Sequence, residues 1–377
     1  MTAPSITSAL RISRAPAFAF VAVGLTWGCF AAMAPVLKAR ADVDDRTWGL
    51  LLLGTAVGLA TTIWAAPRWD RGLGTWAMPA GTLLLAVAAL GIGAAPTALL
   101  LFGALVVAGT TSGLTDVVMN ARVSEVEART ARSLMNVNHA MFSVAYAAAA
   151  LATGAMREAG WPPEAIFAAT ALAVAATAPF QMMIVAAPEA EGGASAGLPL
   201  RLTAVCGAIV LIAFMAESTV ETWSALHIER TLGGGAAEGA FGPAMLGLTM
   251  AVGRFSGQAL AARMAEVAVI RRATGLAVAG VLVAAAASSP AVAYLGFGLL
   301  GLGISVIGPM GLALAGRLAP APLRTALIAR VAVVGFLGFF LAPALMGLGS
   351  DLFGLRWAFA GVAALLALEW ALVRAAR

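Results

Sequence analysis

Residues 49–74 read GLLLLGTAVGLATTIWAAPRWDRGLG. The first 18 of them, 49–66, carry no charge, whereas the next eight contain Arg68, Asp70 and Arg71. An uncharged apolar run of this length predicts a transmembrane helix, because about 20 residues rising 1.5 Å each cross the hydrocarbon of a bilayer. The charged residues that follow predict that the helix ends at a membrane surface.

The alternation of a long apolar run and a short charged segment continues along the chain. Of the 377 residues, 61% are hydrophobic and 11% are charged, whereas ordinary soluble domains carry about 25% charged residues. This composition excludes a soluble protein, which could not cover its surface with polar groups, and it excludes disorder. A transmembrane β-barrel is disfavoured because the runs are continuous rather than alternating. We therefore predict an all-α membrane protein.

The runs predict twelve transmembrane helices. Twelve helices of about 20 residues use roughly 240 residues and leave only short loops. The least apolar stretch, 188–197, divides six runs from six. The predicted organisation is an N-terminal six-helix bundle over 1–187, a cytoplasmic linker over 188–200 and a C-terminal six-helix bundle over 201–377. The helices are predicted near residues 15–37, 47–66, 76–94, 97–120, 133–156, 163–186, 202–227, 240–262, 272–289, 291–315, 323–347 and 352–373.

Basic residues in the loops predict the orientation of the chain. With both termini on one side, fifteen arginines fall on that side and six basic residues, including Lys38, fall on the other. Because short cytoplasmic loops carry an excess of Arg and Lys, both termini are predicted to be cytoplasmic. The first run, 15–37, follows Arg11 and Arg14 as in a signal peptide, but it is too long for one and is interpreted as the first helix.

The two halves of the sequence also resemble each other. Ala-Val-Gly occurs at 56–58 and again at 251–253, and Arg68 and Arg263 are separated by the same 195 residues. Duplication of a helical bundle is typical of transporters whose two halves rock around a site near the membrane midplane. The repeat therefore predicts two pseudo-symmetric six-helix bundles.

At these motifs the sequence resembles the major facilitator superfamily. Residues 67–74 lie where that family carries Gly-x-x-x-Asp-Arg-x-Gly followed by two basic residues. Asp70 and Arg71 match this pattern, although Thr75 and Trp76 replace the basic pair. The resemblance implies the major facilitator fold and transport by alternating access.

Three further stretches carry the same resemblance. Residues 253–258, GRFSGQ, are similar to a degraded second copy of the loop motif. Residues 113–120, GLTDVVMN, and 138–143, NHAMFS, are similar to one subgroup of bacterial inner-membrane members. The resemblance covers essentially the full length and implies a location in the bacterial inner membrane. It also implies that the eighth helix lies beside the fifth and the eleventh beside the second.

Polar residues at membrane depth form stripes on two neighbouring helices. Ionisable side chains are costly in hydrocarbon, so each requires a partner, water or a function, and the stripes must face the bundle interior. We interpret Asp116 and His139 as a proton-coupling pair or as substrate contacts. The alternative is a hydrogen-bonded network that closes the inner gate. The stripes are Ser112, Asp116 and Asn120 in the fourth helix, and Asn136, His139, Ser143 and Tyr146 in the fifth.

A charged latch between the halves is predicted in the cytoplasmic third of the membrane. We expect Asp70 or Asp116 to pair with Arg254 or Arg330, to hold the outward-facing state and to separate on opening inward. The alternative is a salt bridge within one half that never breaks. The predicted gate residues are Arg68, Asp70, Arg71, Asn120, Arg254, Gln258 and Arg330.

The seventh helix carries Glu217 and Glu221 on one face. Glu217 lies about 22 Å along the helix, past the midplane. An acid there can bind and release a proton as access alternates, so Glu217 is the leading proton-coupling candidate, with structural pairing as the alternative. For Glu221 the alternative is an outer gate pair with Lys38 or Arg40. The predicted substrate cavity is lined by Trp27, Asn136, Asn138, Ser143, Tyr146, Glu221 and Trp223.

These features predict a secondary active transporter of a small organic solute, coupled to protons. The sequence contains no nucleotide-binding motif and no group of residues spaced as in a catalytic site, so we predict no enzyme activity. His227 is interpreted as a loop residue. No cofactor and no metal are expected, with the proton as coupling ion. The expected partners are a small-molecule substrate and the bilayer, and not nucleic acid, because the basic residues are scattered; the chain is expected to be a monomer. The alternative is a non-transporting sensor or a membrane-complex assembly factor with the same fold.

Overall fold

The computed structural model describes residues 6–184, 199–261, 264–320 and 323–375, which contain twelve long helices and no β-strand. Short helical elements lie at Ile6–Ile12, Gly74–Trp76, Ala178–Gln181 and His227–Thr231, the last a π-helical turn. Most of the predicted linker lies outside the described residues. The long helices are α1 (Arg14–Ala41), α2 (Asp45–Leu73), α3 (Ala77–Ala94), α4 (Ala98–Thr130), α5 (Met135–Glu158), α6 (Pro163–Thr177), α7 (Leu200–Leu226), α8 (Ala236–Ala261), α9 (Glu266–Ala286), α10 (Pro290–Leu318), α11 (Arg324–Phe353) and α12 (Leu355–Ala375).

The helices are apolar enough to cross a membrane. Ten segments of the described chain meet the length and mean hydropathy of a membrane span, and together they include eleven of the twelve helices. A polar cap lies at the start of α2, where Asp44 Oδ1 accepts a hydrogen bond from the backbone N–H of Thr47 at 2.7 Å. The same hydrogen bonding holds the pKa of Asp44 below its ordinary value. The chain is a multi-pass membrane protein.

The helix packing repeats between the two halves. Helix α1 packs on α5, α2 on α4 and α3 on α6, and in the second half α7 packs on α11, α8 on α10 and α9 on α12. The halves meet where α5 packs on α8 and α2 on α11, with α1 also against α7. The predicted fold class of two pseudo-symmetric six-helix bundles is therefore confirmed, and so is the neighbourhood of the eighth and fifth helices and of the eleventh and second. The exact boundaries of the two halves stay a prediction.

Several helices extend beyond the ends predicted from the apolar runs. Helix α2 continues through Pro67 to Leu73, so Asp70 and Arg71 lie in a helical turn and not in a loop. Helix α4 continues to Thr130 and includes Arg122. The predicted ends were wrong because charged turns continue a helix past the hydrocarbon, where their side chains reach partners or water.

His227 was also wrongly interpreted as a loop residue. It begins the π-helical turn after α7 and is fully buried. Its Nε2 lies 3.1 Å from the carbonyl oxygen of Ala284, and its ring contacts Phe297 and Phe359. These contacts place His227 in the packed interior of the second half.

Candidate functional site: a cavity between the two halves

A cavity of about 230 Å³ lies between the halves near the middle of the helices. Six helices contribute to its walls: α1, α2, α5, α7 and α11, each of which packs against a helix of the other half, and α4 beside them. Its lining residues are Val23, Trp27, Phe30, Ala31, Leu52, Thr55, Ala56, Leu59, Gly109, Ser112, Gly113, Asp116, Phe142, Tyr146, Glu217, Ser218, Glu221, Thr222, Phe336, Phe339, Phe340 and Pro343.

Seven of the 22 residues that line the cavity are aromatic. From α1, Trp27 donates its indole N–H to Ser112 Oγ at 2.9 Å and packs edge-on against Phe30. From α11, Phe336 and Phe339 pack around Phe214 of α7. These ring contacts fix the wall positions on both sides of the interface between the halves.

Three carboxylates line this aromatic cavity. Glu217 Oε1 forms a 3.0 Å ion pair with Arg254 of α8. Asp116 accepts a 3.1 Å hydrogen bond from Asn120, its neighbour one turn along α4. Glu221 lies one turn beyond Glu217 on the same face of α7. The cavity therefore holds acids from both halves.

Arg254 also connects the two halves. While one of its terminal nitrogens binds Glu217, the other donates to the backbone carbonyl oxygen of His139 at 3.3 Å and to Ser143 Oγ, both on α5. One guanidinium thus joins α7, α8 and α5. Since Arg254 is 13% exposed, the link lies largely out of water.

The predicted partners of the latch are not those that the structure shows. Asp70 pairs with Arg122 of α4, within the first half, and Arg122 also binds Glu125 at 2.7 Å. Asp116 bonds to Asn120, and Arg330 is exposed on α11. The predicted pairs are not among the ion pairs of the described residues, where Arg122, inside α4 and 2% exposed, binds Asp70 instead. Because the latch was expected to separate on opening inward, it stays a prediction.

Among the described side chains, the predicted gate residues Arg68, Arg71 and Asn120 make no contact between the halves. Arg68 is exposed and donates to the carbonyl oxygen of Trp64 in its own helix at 2.7 Å, and Arg71 is exposed. Asn120 donates to both the backbone and the side chain of Asp116. The side chain of Gln258 lies outside the described part of the structure.

Of the seven residues predicted to line the substrate cavity, Trp27, Tyr146 and Glu221 do so. Ser143 instead contacts Arg254. Asn138 is fully buried and donates to Ser13 Oγ and to the carbonyl oxygen of Leu134, both at 2.9 Å, which ties it to the start of the chain. The prediction for Ser143 assumed that it faces the cavity together with Asn136, His139 and Tyr146.

The remaining predicted residues lie elsewhere. Asn136 is half-buried outside the cavity wall. Trp223 is fully buried, but it is two residues from Glu221 and so lies about 200° around the helix from it. His139 packs its ring against Phe20 at 4.8 Å between centroids, and no contact joins it to Asp116 among the described residues. The structure therefore does not assemble the predicted Asp116–His139 pair.

A network on the opposite side from the termini was missed from sequence. Asp45, at the start of α2, binds both terminal nitrogens of Arg230, which follows α7. It also accepts a hydrogen bond from Ser350 Oγ of α11, and one of its carboxylate oxygens lies 3.0 Å from Lys38 Nζ. The expected partners of Glu221, Lys38 and Arg40, are therefore engaged elsewhere, Arg40 with Glu164.

A second ion pair joins the halves on the same side. Arg157, at the end of α5, binds both carboxylate oxygens of Glu229 at 2.8 and 2.9 Å and donates to the carbonyl oxygen of Ala32. Glu229 and Arg230 are adjacent in the π-helical turn, so one short segment of the second half holds two helices of the first. We call the pairs Asp45–Arg230 and Arg157–Glu229 the far-side clamp. These ion pairs can be recognised only in the three-dimensional structure, because in the sequence each of the four residues looks like an ordinary charged loop residue.

Known proteins resemble this chain over most of its length, although no family model matches it. An uncharacterized MFS-type transporter of Yersinia pestis is 27% identical over 353 residues, which cover 92% of this chain and 91% of that one. An uncharacterized transporter of Sinorhizobium fredii is also 27% identical, over 92% of this chain and 93% of its own. The crystal structure of a bacterial homolog of the human lysosomal transporter Spinster, inward-facing and occupied, has a TM-score of 0.79 at 14% identity and covers 97% of this chain and 96% of that one.

Twelve helices in two bundles, a cavity between them and transporter relatives over nine-tenths of the length define the class: the chain is a membrane transporter. Its fold is the major facilitator fold. The resemblance to the major facilitator superfamily that its motifs carry is confirmed by the MFS-type relative.

Proposed function

We propose that the chain is a secondary active transporter that moves a small organic solute across the bacterial inner membrane by alternating access, coupled to protons. The observation that carries the proposal is a mid-membrane cavity between two helical bundles that, among the described residues, are joined by ion pairs on the side opposite the termini. In this proposal both termini are cytoplasmic, no cofactor takes part and the chain is not an enzyme.

The positions of the ion pairs support alternating access. Between described residues, the two ion pairs that join the halves both belong to the far-side clamp. On the side of the termini, Asp70–Arg122 lies within the first half, and Glu266–Arg317 within the second. In the proposed cycle, a cavity whose far side is held closed exchanges with the side of the termini, which corresponds to an inward-facing conformation. Opening outward then requires the clamp to separate.

The Glu217–Arg254 pair supports proton coupling. Glu217 lines the cavity with only 7% of its surface exposed, and its carboxylate is one of the groups that hold Arg254. A proton on Glu217 removes the charge that attracts Arg254 while leaving the contacts of Arg254 with α5. Protonation therefore weakens the Arg254–Glu217 contact, which lies within the second half, relative to the contacts of Arg254 with α5, which join the halves. If the two conformations differ in these contacts, binding of a proton shifts the equilibrium between them.

The test is transport by the full-length chain in proteoliposomes, with a panel of labelled solutes, in the presence and absence of a pH gradient. We expect gradient-dependent movement of at least one solute. In Glu217→Gln this dependence should be lost while solute exchange without a gradient remains. Glu266→Gln is the matched control, because it breaks an Arg–Glu pair of the same half outside the cavity.

Two results would contradict the proposal. Gradient dependence of Glu217→Gln equal to that of the unmodified chain would remove the assigned role of Glu217. No flux of any solute, together with a stable protein partner in pull-downs, would favour a non-transporting sensor or assembly factor instead.

A further inference from the structure

We infer that the cavity binds a small organic cation with an aromatic or otherwise apolar body. This inference rests on the proposed function, since it names the class of solute that the same cavity would take. It draws on the charges, the unpaired hydroxyl and the wall chemistry of the cavity.

When ionised, the acids of the cavity outnumber the cationic side chains beside it. Asp116, Glu217 and Glu221 line it, whereas no Lys or Arg side chain does among the described residues. Arg254 lies beside the cavity and is bound to Glu217, which leaves Asp116 and Glu221 without a cationic partner among the described contacts. Carboxylates buried at membrane depth are costly unless a counter-charge accompanies them, and a bound cation provides one. An anionic solute would meet like charge there.

A buried hydroxyl provides an independent sign of a ligand. Tyr146 lines the cavity and is 1% exposed, yet its hydroxyl has no hydrogen-bond partner among the described residues. Glu217 and Glu221 line the same cavity. Buried hydroxyl groups normally have hydrogen-bond partners. We therefore take the unpaired hydroxyl of this cavity-lining residue as the point that a polar group of the ligand reaches.

The wall chemistry indicates what the rest of the ligand is. Trp27, Phe30 and Phe142 of the first half face Phe336, Phe339 and Phe340 of the second. Aromatic faces attract cations and also bury apolar surface. A volume of about 230 Å³ is below the roughly 300–1,000 Å³ of drug-sized sites, which favours a small amine over a peptide.

Binding of matched probes to the purified full-length chain in detergent tests the inference. Each set shares one body and differs in charge: 2-phenylethylamine, 2-phenylethanol and 3-phenylpropionate form one set, and tryptamine, tryptophol and indole-3-propionate form the second. We expect calorimetry to show that the amine binds at least tenfold more tightly than the alcohol and the acid of its set. Glu221→Gln and Asp116→Asn should each weaken amine binding about tenfold, whereas Glu266→Gln should not.

The opposite results are equally defined. An acid or alcohol that binds as tightly as the amine in both sets overturns the inference, as does the absence of amine binding in both. A thermal unfolding midpoint close to that of the unmodified chain shows that each variant is folded. If the proteoliposome panel reveals a transported anion, the cation assignment fails while transport stands; if amines bind and no solute is transported, the cation site stands and the transport function fails.

Discussion

The two sides of the bundle use the same ion-pair chemistry with different connectivity. On the far side, Asp45–Arg230 and Arg157–Glu229 each join one half to the other. On the side of the termini, the Asp70–Arg122 pair and its counterpart in the second half each stay within one half. In the proposed alternating access, pairs within a half would move together as the halves rotate, whereas pairs between the halves would have to break.

This difference assigns separate roles to similar residues. On the proposed mechanism, the far-side clamp stabilises one of two conformations, whereas the pairs near the termini stabilise the individual bundles. Variants on the two sides should therefore affect different measurements: conformation on the far side, and stability alone near the termini.

The largest effect is expected from Asp45→Asn, which leaves Arg230 and Lys38 without their shared carboxylate. Since Asp45 is 7% exposed, we expect a loss of about 2–4 kcal/mol from the closed far side and a lower thermal unfolding midpoint. A cysteine at Leu52, a buried lining residue, should become labelled by a membrane-impermeant maleimide from the far side, since Cys29 and Cys206 are themselves buried.

Glu164→Gln is the control for Asp45→Asn, because the Arg40–Glu164 pair lies on the same side but within the first half. It should leave labelling at Leu52 unchanged. Equal labelling in the two variants would show that far-side pairs have no special role in holding the halves together.

The second-largest effect is expected from a substitution at Gly49, where α2 packs against α11 on the far side. A Cβ on Gly49 would overlap the carbonyl oxygen of Pro343, and Gly347 lies against Gly49 in return. Gly49→Ala should force the helices apart at a cost of about 1–3 kcal/mol and increase far-side labelling. Gly361→Ala, which would meet nothing within 4 Å, should change neither labelling nor the unfolding midpoint. A tolerated alanine at Gly49 would contradict close packing as a basis of the closed far side.

A smaller effect with a different signature is expected near the termini. Asp70→Asn removes one partner of Arg122, which retains Glu125. We expect about 1–2 kcal/mol of lost stability because Arg122 is buried, with no change in far-side labelling. The measurements are the thermal unfolding midpoint and maleimide labelling at Leu52. Altered labelling would place Asp70 in a gate after all.

The helices were predictable from sequence because the bilayer imposes a one-dimensional requirement. A run such as 49–66 must span hydrocarbon whatever its tertiary neighbours, so counting runs was enough to obtain the twelve helices. Their ends were less predictable, as α4 shows, because a helix that leaves the hydrocarbon is stopped by local caps and partners and not by hydropathy.

Helix periodicity made it possible to predict which residues face the cavity, but not which residues form ion pairs. Glu217, Glu221, Trp27 and Tyr146 share inward faces and do line the cavity. The ion-pair partners were not predictable, because Asp45 and Arg230 are 185 residues apart and their contact depends on how the two halves dock. Residues that looked like interchangeable loop charges acquire their roles only in that docking.

The smallest effect is expected from Arg330→Gln, and it bears directly on the latch predicted near the termini. Arg330 is exposed and belongs to none of the ion pairs between described residues, and substitutions of such surface residues change stability by about 0.5 kcal/mol or less. We therefore expect an unchanged unfolding midpoint and unchanged flux in proteoliposomes. An unchanged midpoint with reduced flux would mean that Arg330 finds its partner only when the far side opens, since a contact confined to the other conformation affects turnover without affecting the stability of this one. That result would restore the predicted latch as the counterpart of the far-side clamp.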